Sequence, residues 1–204
     1  MAIEQIKLGF DNFSYLIHCP ETGEAALVDP GMDTAKARKF IQQNNLKLKY
    51  IINTHHHRDH TADNQRLKYV YESKIIATKK DAEAITGGID RAVSERDELE
   101  VGSIGLKFIM TPGHTPGGMC VLVDDKFLLT GDTLFIDDCG RTDLSGGSNR
   151  DMFESLQNIK SLPDDVIIYP GHDYGPMPFD TLGNQKMTNK ALLAGSVEEL
   201  AMLP

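Results

Sequence analysis

Thr54-His55-His56-His57-Arg58-Asp59-His60 is the stretch on which the rest of the sequence turns. It directly follows the apolar run at 48–52, which reads as a strand, so the histidines begin where a strand ends. Alternate positions on an extended loop point the same way, so His55 and His57 can share one ion while His56 turns away. Asp59 and His60 sit displaced and suit a second ion. Neutral imidazoles and a carboxylate are donors fitted to zinc, iron or manganese. A catalytic metal needs three or more protein ligands and a position left open, so the remaining ligands must come from other parts of the chain.

Three further strand ends supply them. The run at 104–110 ends at Thr111-Pro112-Gly113-His114. Residues 119–123 and 127–130 form a hairpin around Asp124-Asp125 that leads into Gly131-Asp132-Thr133. The run at 166–169 ends at Pro170-Gly171-His172. Loops at strand ends are where a rigid sheet presents side chains to one point. Five of the seven histidines and two aspartates follow this one ordered pattern, which a chance cluster does not explain. His18 and His56 are left as structural residues.

The remaining pattern frames these loops. Residues 13–18 and 25–28 read as strands around Pro20-Glu21-Thr22-Gly23. Ala37, Phe40 and Ile41 fall at helical spacing within 33–44, and Met152, Phe153, Leu156 and Ile159 mark a second amphipathic helix. Residues 74–77 form a short strand with a helix after it, near Asp81. Beyond Pro178 one or two short helices are expected, with Leu192, Leu193, Val197 and Leu200 available to pack. Interleaved strands and helices make the class α/β or α+β, with layered sheets and outer helices. Residues 1–178 read as one domain and 179–204 as a short helical C-terminal extension packed on it.

Composition excludes several functions. The 204 residues are 40% hydrophobic and 25% charged, ordinary for a globular protein, with a formal net charge of -9. Such a surface repels phosphate backbones, so no nucleic-acid partner is expected. No basic stretch followed by an apolar run opens the chain, and no apolar run approaches the roughly 20 residues of a membrane helix. Cys19, Cys120 and Cys139 are an odd set without paired spacing, which fits a reducing cytoplasm.

The order H-x-H-x-D-H, T-P-G-H-T-P-G, G-D, P-G-H, from about residue 12 to 189, resembles the metallo-β-lactamase superfamily. The resemblance implies an αββα sandwich with metals at one edge between two sheets. It implies that His55, His57 and His114 bind a first ion, that Asp59, His60 and His172 bind a second, and that Asp132 bridges them. Asp29, in Val28-Asp29-Pro30-Gly31, matches a structural position near that site. Within the superfamily, the stretch at 54–64 and Gly131-Asp132-Thr133-Leu134-Phe135 resemble glyoxalase II, the hydroxyacylglutathione hydrolases. Cys139-Gly140-Arg141-Thr142-Asp143 and His172-Asp173-Tyr174 are shared by small glyoxalase II-like hydrolases and by persulfide dioxygenases, which places Arg141 and Tyr174 near a thiol substrate. A guanidinium suits a glutathione carboxylate, and a solvated loop arginine is the other reading.

Two activities follow from the resemblance. In the first, two divalent ions about 3.5 Å apart, zinc before iron or manganese, share a hydroxide that attacks a thioester carbonyl. Asp59 and Asp132 are then the catalytic carboxylates, and Asp59 also orients the nucleophile. The partner is a small thiol-linked substrate such as a glutathione conjugate, and a homodimer is allowed. In the second, His55, His114 and Asp132 form a facial triad for one Fe(II) that oxygenates glutathione persulfide. A seven-ligand set argues against a non-enzymatic module. Only a short tail follows Pro178, where full-length glyoxalase II carries a helical domain that helps hold glutathione, so the thiol carrier stays open.

Overall fold

Short runs of β-branched and aliphatic residues form strands whose side chains alternate between faces. In the computed structural model, which describes residues 2–203, these runs make two six-stranded sheets. The first half of the chain runs β1 (Ala2–Leu8), β2 (Asn12–His18), β3 (Glu24–Val28), α1 (Ala35–Gln43), β4 (Lys47–Ile52), α2 (Arg58–Thr61), α3 (Asn64–Tyr71), β5 (Lys74–Thr78), α4 (Lys79–Ala82) and β6 (Arg91–Val93). The second half runs β7 (Glu98–Val101), β8 (Ile104–Met110), β9 (Met119–Val123), β10 (Phe127–Gly131), α5 (Asn149–Lys160), β11 (Ile167–Pro170), β12 (Asp180–Thr181), α6 (Leu182–Thr188), α7 (Lys190–Leu193) and α8 (Val197–Ala201).

In the first sheet β1, β2 and β3 pair antiparallel, and β3 to β6 run parallel, as their helical crossovers require. In the second, β7 to β10 form an antiparallel meander and β11 joins β10 in parallel after α5.

Alternation sorts the core into layers. Phe13, Tyr15 and Ile17 of β2 meet Met119, Val121 and Val123 of β9 between the sheets. The intervening residues face outward: Leu16 packs with Ala37, Ile41 and Leu67 of α1 and α3, and Cys120 and Leu122 pack with Met152, Leu156 and Ile159 of α5. Both faces of each sheet are covered, which gives the αββα sandwich. Helix α5 follows from its sequence. Met152, Leu156 and Ile159 lie on one stripe, and the Ser148 side chain accepts a hydrogen bond from the Asp151 N–H at its start.

This topology places four strand ends at one edge. The Met119 N–H donates to the Thr54 carbonyl at 2.9 Å, tying the loop after β4 to the other sheet. The Phe13 N–H donates to Gly171 O and the Gly171 N–H to Gly131 O, each at 2.8 Å, tying β2, β10 and β11.

Some elements differ from the sequence expectation. The tail holds three short helices rather than one or two. Leu200 is buried, but Leu193 is 53% exposed and does not pack. Strand β1 and helix α3 were not expected. Among the described residues no helix is long and apolar enough to cross a membrane.

Phe108 is fully buried between the sheets. Phe108→Ala should cost about 3–5 kcal/mol, read as a fall in the denaturation midpoint. Leu193→Ala on the exposed side of α7 should stay within about 0.5 kcal/mol of the parent. Similar losses for both would mean that the inter-sheet layer is not the core.

Candidate metal centre

The loop after β4 is fixed by a residue in another strand's terminus. Asp29 follows β3 with a left-handed φ of 50°. Its carboxylate accepts from the Thr54 N–H at 2.8 Å and the Thr54 hydroxyl at 2.6 Å, and it faces His60 Nδ1 at 3.2 Å. His57 then starts α2, whose single turn carries Asp59 and His60.

The seven sequence-predicted donors converge. His55, His57 and His114 offer ligand atoms within 4.8 Å of one another, and so do Asp59, His60 and His172. In the first group His57 Nδ1 lies 2.9 Å from His114 Nε2. In the second, His60 Nε2 lies 3.2 Å from His172 Nε2, and Asp59 Oδ2 is 3.4 and 3.5 Å from those nitrogens. Asp132 stands between the groups. Its Oδ2 is 3.5 Å from His114 Nε2, 3.9 Å from His55 Nε2 and 3.3 Å from His172 Nε2, and its Oδ1 is 3.4 Å from His60 Nε2. Asp29 also lies within reach of His55 and His60, but Thr54 and His60 already engage its oxygens, so it supports ligands.

A divalent cation fits these residues. His55 Nε2 and Asp132 Oδ1 are buried with no hydrogen-bond partner, a costly condition that a cation removes. Outer partners aim the rings. His114 Nδ1 lies 2.7 Å from the Arg141 carbonyl, which can only accept, so Nδ1 carries the proton and Nε2 turns its lone pair inward. His60 Nδ1 donates to Asp29 in the same manner.

Electrostatics divide the donors. Burial favours neutral Asp132, but His60, His172 and His55 hold its carboxyl well below the usual carboxylate range. Burial likewise opposes ionisation of Asp59, and His172, His60 and Asn12 outweigh it. Burial and then neighbouring rings hold His55 and His57 below the ordinary histidine value, which leaves them neutral. His172 moves the other way: burial lowers it, but Asp132 and Asp59 raise it to about 9.

A cavity of about 570 Å³ opens in front of His114 and Asp132. Arg141 and Tyr174 both line it, beside Phe135, Thr142 and Leu200. Tyr174 stacks on His172 with ring centroids 4.7 Å apart and planes at 8°. The Arg141 guanidinium is forked onto Asp143 at 2.6 and 2.7 Å. Two supporting residues escaped the sequence reading. Asn12 Nδ2 donates to Asp59 Oδ2 at 2.9 Å. Asp81, buried, accepts from groups in both of the loops that carry the first donor group. Neither sits at a spacing that marks it.

Residues 9–172 match the family model described as the metallo-beta-lactamase superfamily. The chain is 41% identical over 175 residues to a hydroxyacylglutathione hydrolase of Brucella anthropi, across 85% of this chain and 66% of that protein. It thus spans just under two thirds of the length of such curated relatives. Among solved structures, ETHE1 from Myxococcus xanthus is similar with a TM-score of 0.87 at 28% identity, over 100% of this chain and 92% of that one. TTHA1623 in a di-iron-bound form is similar with a TM-score of 0.77 at 27% identity, over 91% and 98% of the two chains.

Substitution separates donors from neighbours. His114→Ala and Asp132→Ala should each lose bound metal, measured by elemental analysis after dialysis. His56→Ala should keep it, because the His56 ring lies 2.9 Å from Asp81 and takes no place in either donor group. Metal stripped by His56→Ala would reverse the assigned direction of the loop.

Proposed function

The chain belongs to the metallo-beta-lactamase superfamily, and from that premise we propose that it is a metal-dependent hydrolase cleaving a thioester of the hydroxyacylglutathione class. The observation that carries this reading is the pair of complete donor groups on either side of Asp132, beside a cavity lined by Arg141 and Tyr174. His55, His57 and His114 would hold one divalent ion and Asp59, His60 and His172 the other, zinc before iron or manganese, with Asp132 reaching both. When bound, such ions supply Lewis acidity, lowering the pKa of water and polarising a carbonyl oxygen.

The chain's own groups do the rest. Asp59 is ionised, 44% exposed at its side chain and steadied by Asn12, so it can accept a hydrogen bond from an attacking water and orient it. Phe135 and Leu200 give the cavity apolar walls that shield the sulfur and its stem from solvent. Burial first, then Asp11, Asp132 and Asp59, push the Tyr174 phenol up to about 12, so it remains a hydrogen-bond donor. A thiolate leaves readily and needs no strong acid. Arg141 meets a substrate carboxylate by sharing its fork with Asp143. All three cysteines are free, in keeping with the reducing cytoplasm proposed here.

The second reading is the mononuclear Fe(II) persulfide dioxygenase, using His55, His114 and Asp132. The likeness to ETHE1 over the whole chain favours it. The hydroxyacylglutathione hydrolase names of relatives at 41% identity, and the complete second donor group, favour hydrolysis.

Metal-replete protein should release thiol from a hydroxyacylglutathione thioester, followed with a thiol reagent. It should show no oxygen uptake with glutathione persulfide. The opposite pair of results would replace hydrolysis by oxygenation. Arg141→Ala should raise KM for the glutathione thioester about tenfold, corresponding to about 1.4 kcal/mol, and leave kcat and a small neutral thioester little changed. Equal losses on both substrates would make Arg141 a loop-holding residue.

A further inference from the structure

Asp81 is a carboxylate with 1% exposure that belongs to neither donor group. It sits in α4, at the end of β5, and its oxygens are shared between two loops from different sheets. Oδ2 accepts from the His56 N–H at 2.9 Å, between His55 and His57. The same oxygen accepts from the Thr115 hydroxyl at 2.8 Å, next to His114, and Oδ1 accepts from the Gly117 N–H at 2.7 Å. The His56 ring is the titratable group that faces it, with Nδ1 at 2.9 Å. A backing contact locks the arrangement: the Thr78 hydroxyl donates to Gly117 O at 2.7 Å. No room exists for slack, since a side chain at Gly117 would overlap both Thr78 and Asp81.

We propose that Asp81 is a positioning residue for the first donor group, setting the separation of His55 and His57 from His114 by clamping the two loops that carry them. Hydrogen bonds to a charged acceptor are the stronger kind, and three of them meet here where water is excluded. The second donor group takes its support elsewhere: His60 from Asp29 and Asp59 from Asn12. Asp81 therefore acts on one metal position and not on the other. The inference rests on the two-group metal centre, but not on the thioester activity.

Zinc titration of the metal-free protein, against a chromophoric chelator, tests it without any substrate. Wild type should bind two zinc ions. Asp81→Ala should weaken one of them about tenfold to a hundredfold, the usual cost of losing a partner behind the ligands, and leave the other within about twofold. Asp81→Asn keeps an acceptor for His56 and Thr115 but turns an amide N–H toward the Gly117 N–H, so it should lie between the two and serve if Asp81→Ala does not fold. In a His57→Ala background, where the first group is already broken, Asp81→Asn should no longer change the affinity of the remaining ion. Equal weakening of both ions, an unchanged affinity, or a persisting effect in the His57→Ala background would overturn the positioning role. Wild type that binds a single zinc would overturn the two-group centre instead.

Discussion

A carboxylate almost removed from water, Asp132, faces four imidazole rings, and the rest of the structure follows from the need to keep it there. Burying an ionised acid is expensive unless opposite charge and hydrogen-bond donors surround it. Within 3.9 Å of Asp132 lie His55, His60, His114 and His172, of which His60 and His172 are raised toward their charged forms, and the unpartnered Oδ1 is left for a cation to satisfy. Those four rings come from the ends of three different strands in two sheets. No local segment could gather them, so the αββα sandwich is the device that does. The glycines beside Asp132 belong to the same constraint. A side chain at Gly140 would overlap the Asp132 carbonyl, and one at Gly171 would overlap its carboxylate.

Rigid support surrounds the donors in two separate systems. Asp29, held in a left-handed conformation, fixes Thr54 and His60 from one side. Asp81 fixes the neighbours of His55, His57 and His114 from the other. The exposed side of the centre is less constrained: Asp59 is partly open, Tyr174 covers His172, and the tail contributes Leu200 to the cavity wall. Rigidity behind the ligands and openness in front are what a catalytic metal site requires.

The chemistry was more legible in the sequence than the packing was. Histidine and aspartate spacing, with each group at the end of an apolar run, marks all seven donors that the fold brings together. Residues 119–123, apolar at every position, mark a strand covered on both faces. Helix α3 was hidden because Leu67 is its one buried apolar side chain, while Tyr69 and Val70 face solvent, so no apolar stripe forms. Strand β1 was hidden because its few apolar residues divide between two faces, Ile3 on one and Ile6 and Leu8 on the other, with Glu4, Gln5 and Lys7 between them, so neither face carries a continuous apolar row. Asp81 was hidden for a different reason. Its partners lie 25 to 36 residues away, and the helix expected near it carries no motif that singles out one acid. The Arg141–Asp143 fork, two residues apart, was equally silent in a loop without periodicity.

On the reading proposed above, Asp132 joins two metal positions. Anomalous diffraction from crystals of metal-loaded protein tests it most directly, at the absorption edge of the metal supplied. Two peaks are expected, one within coordination distance of His55, His57 and His114 and one of Asp59, His60 and His172, with an oxygen of Asp132 reaching each. A single peak held by His55, His114 and Asp132, with His57, Asp59, His60 and His172 unligated under saturating metal, would contradict it.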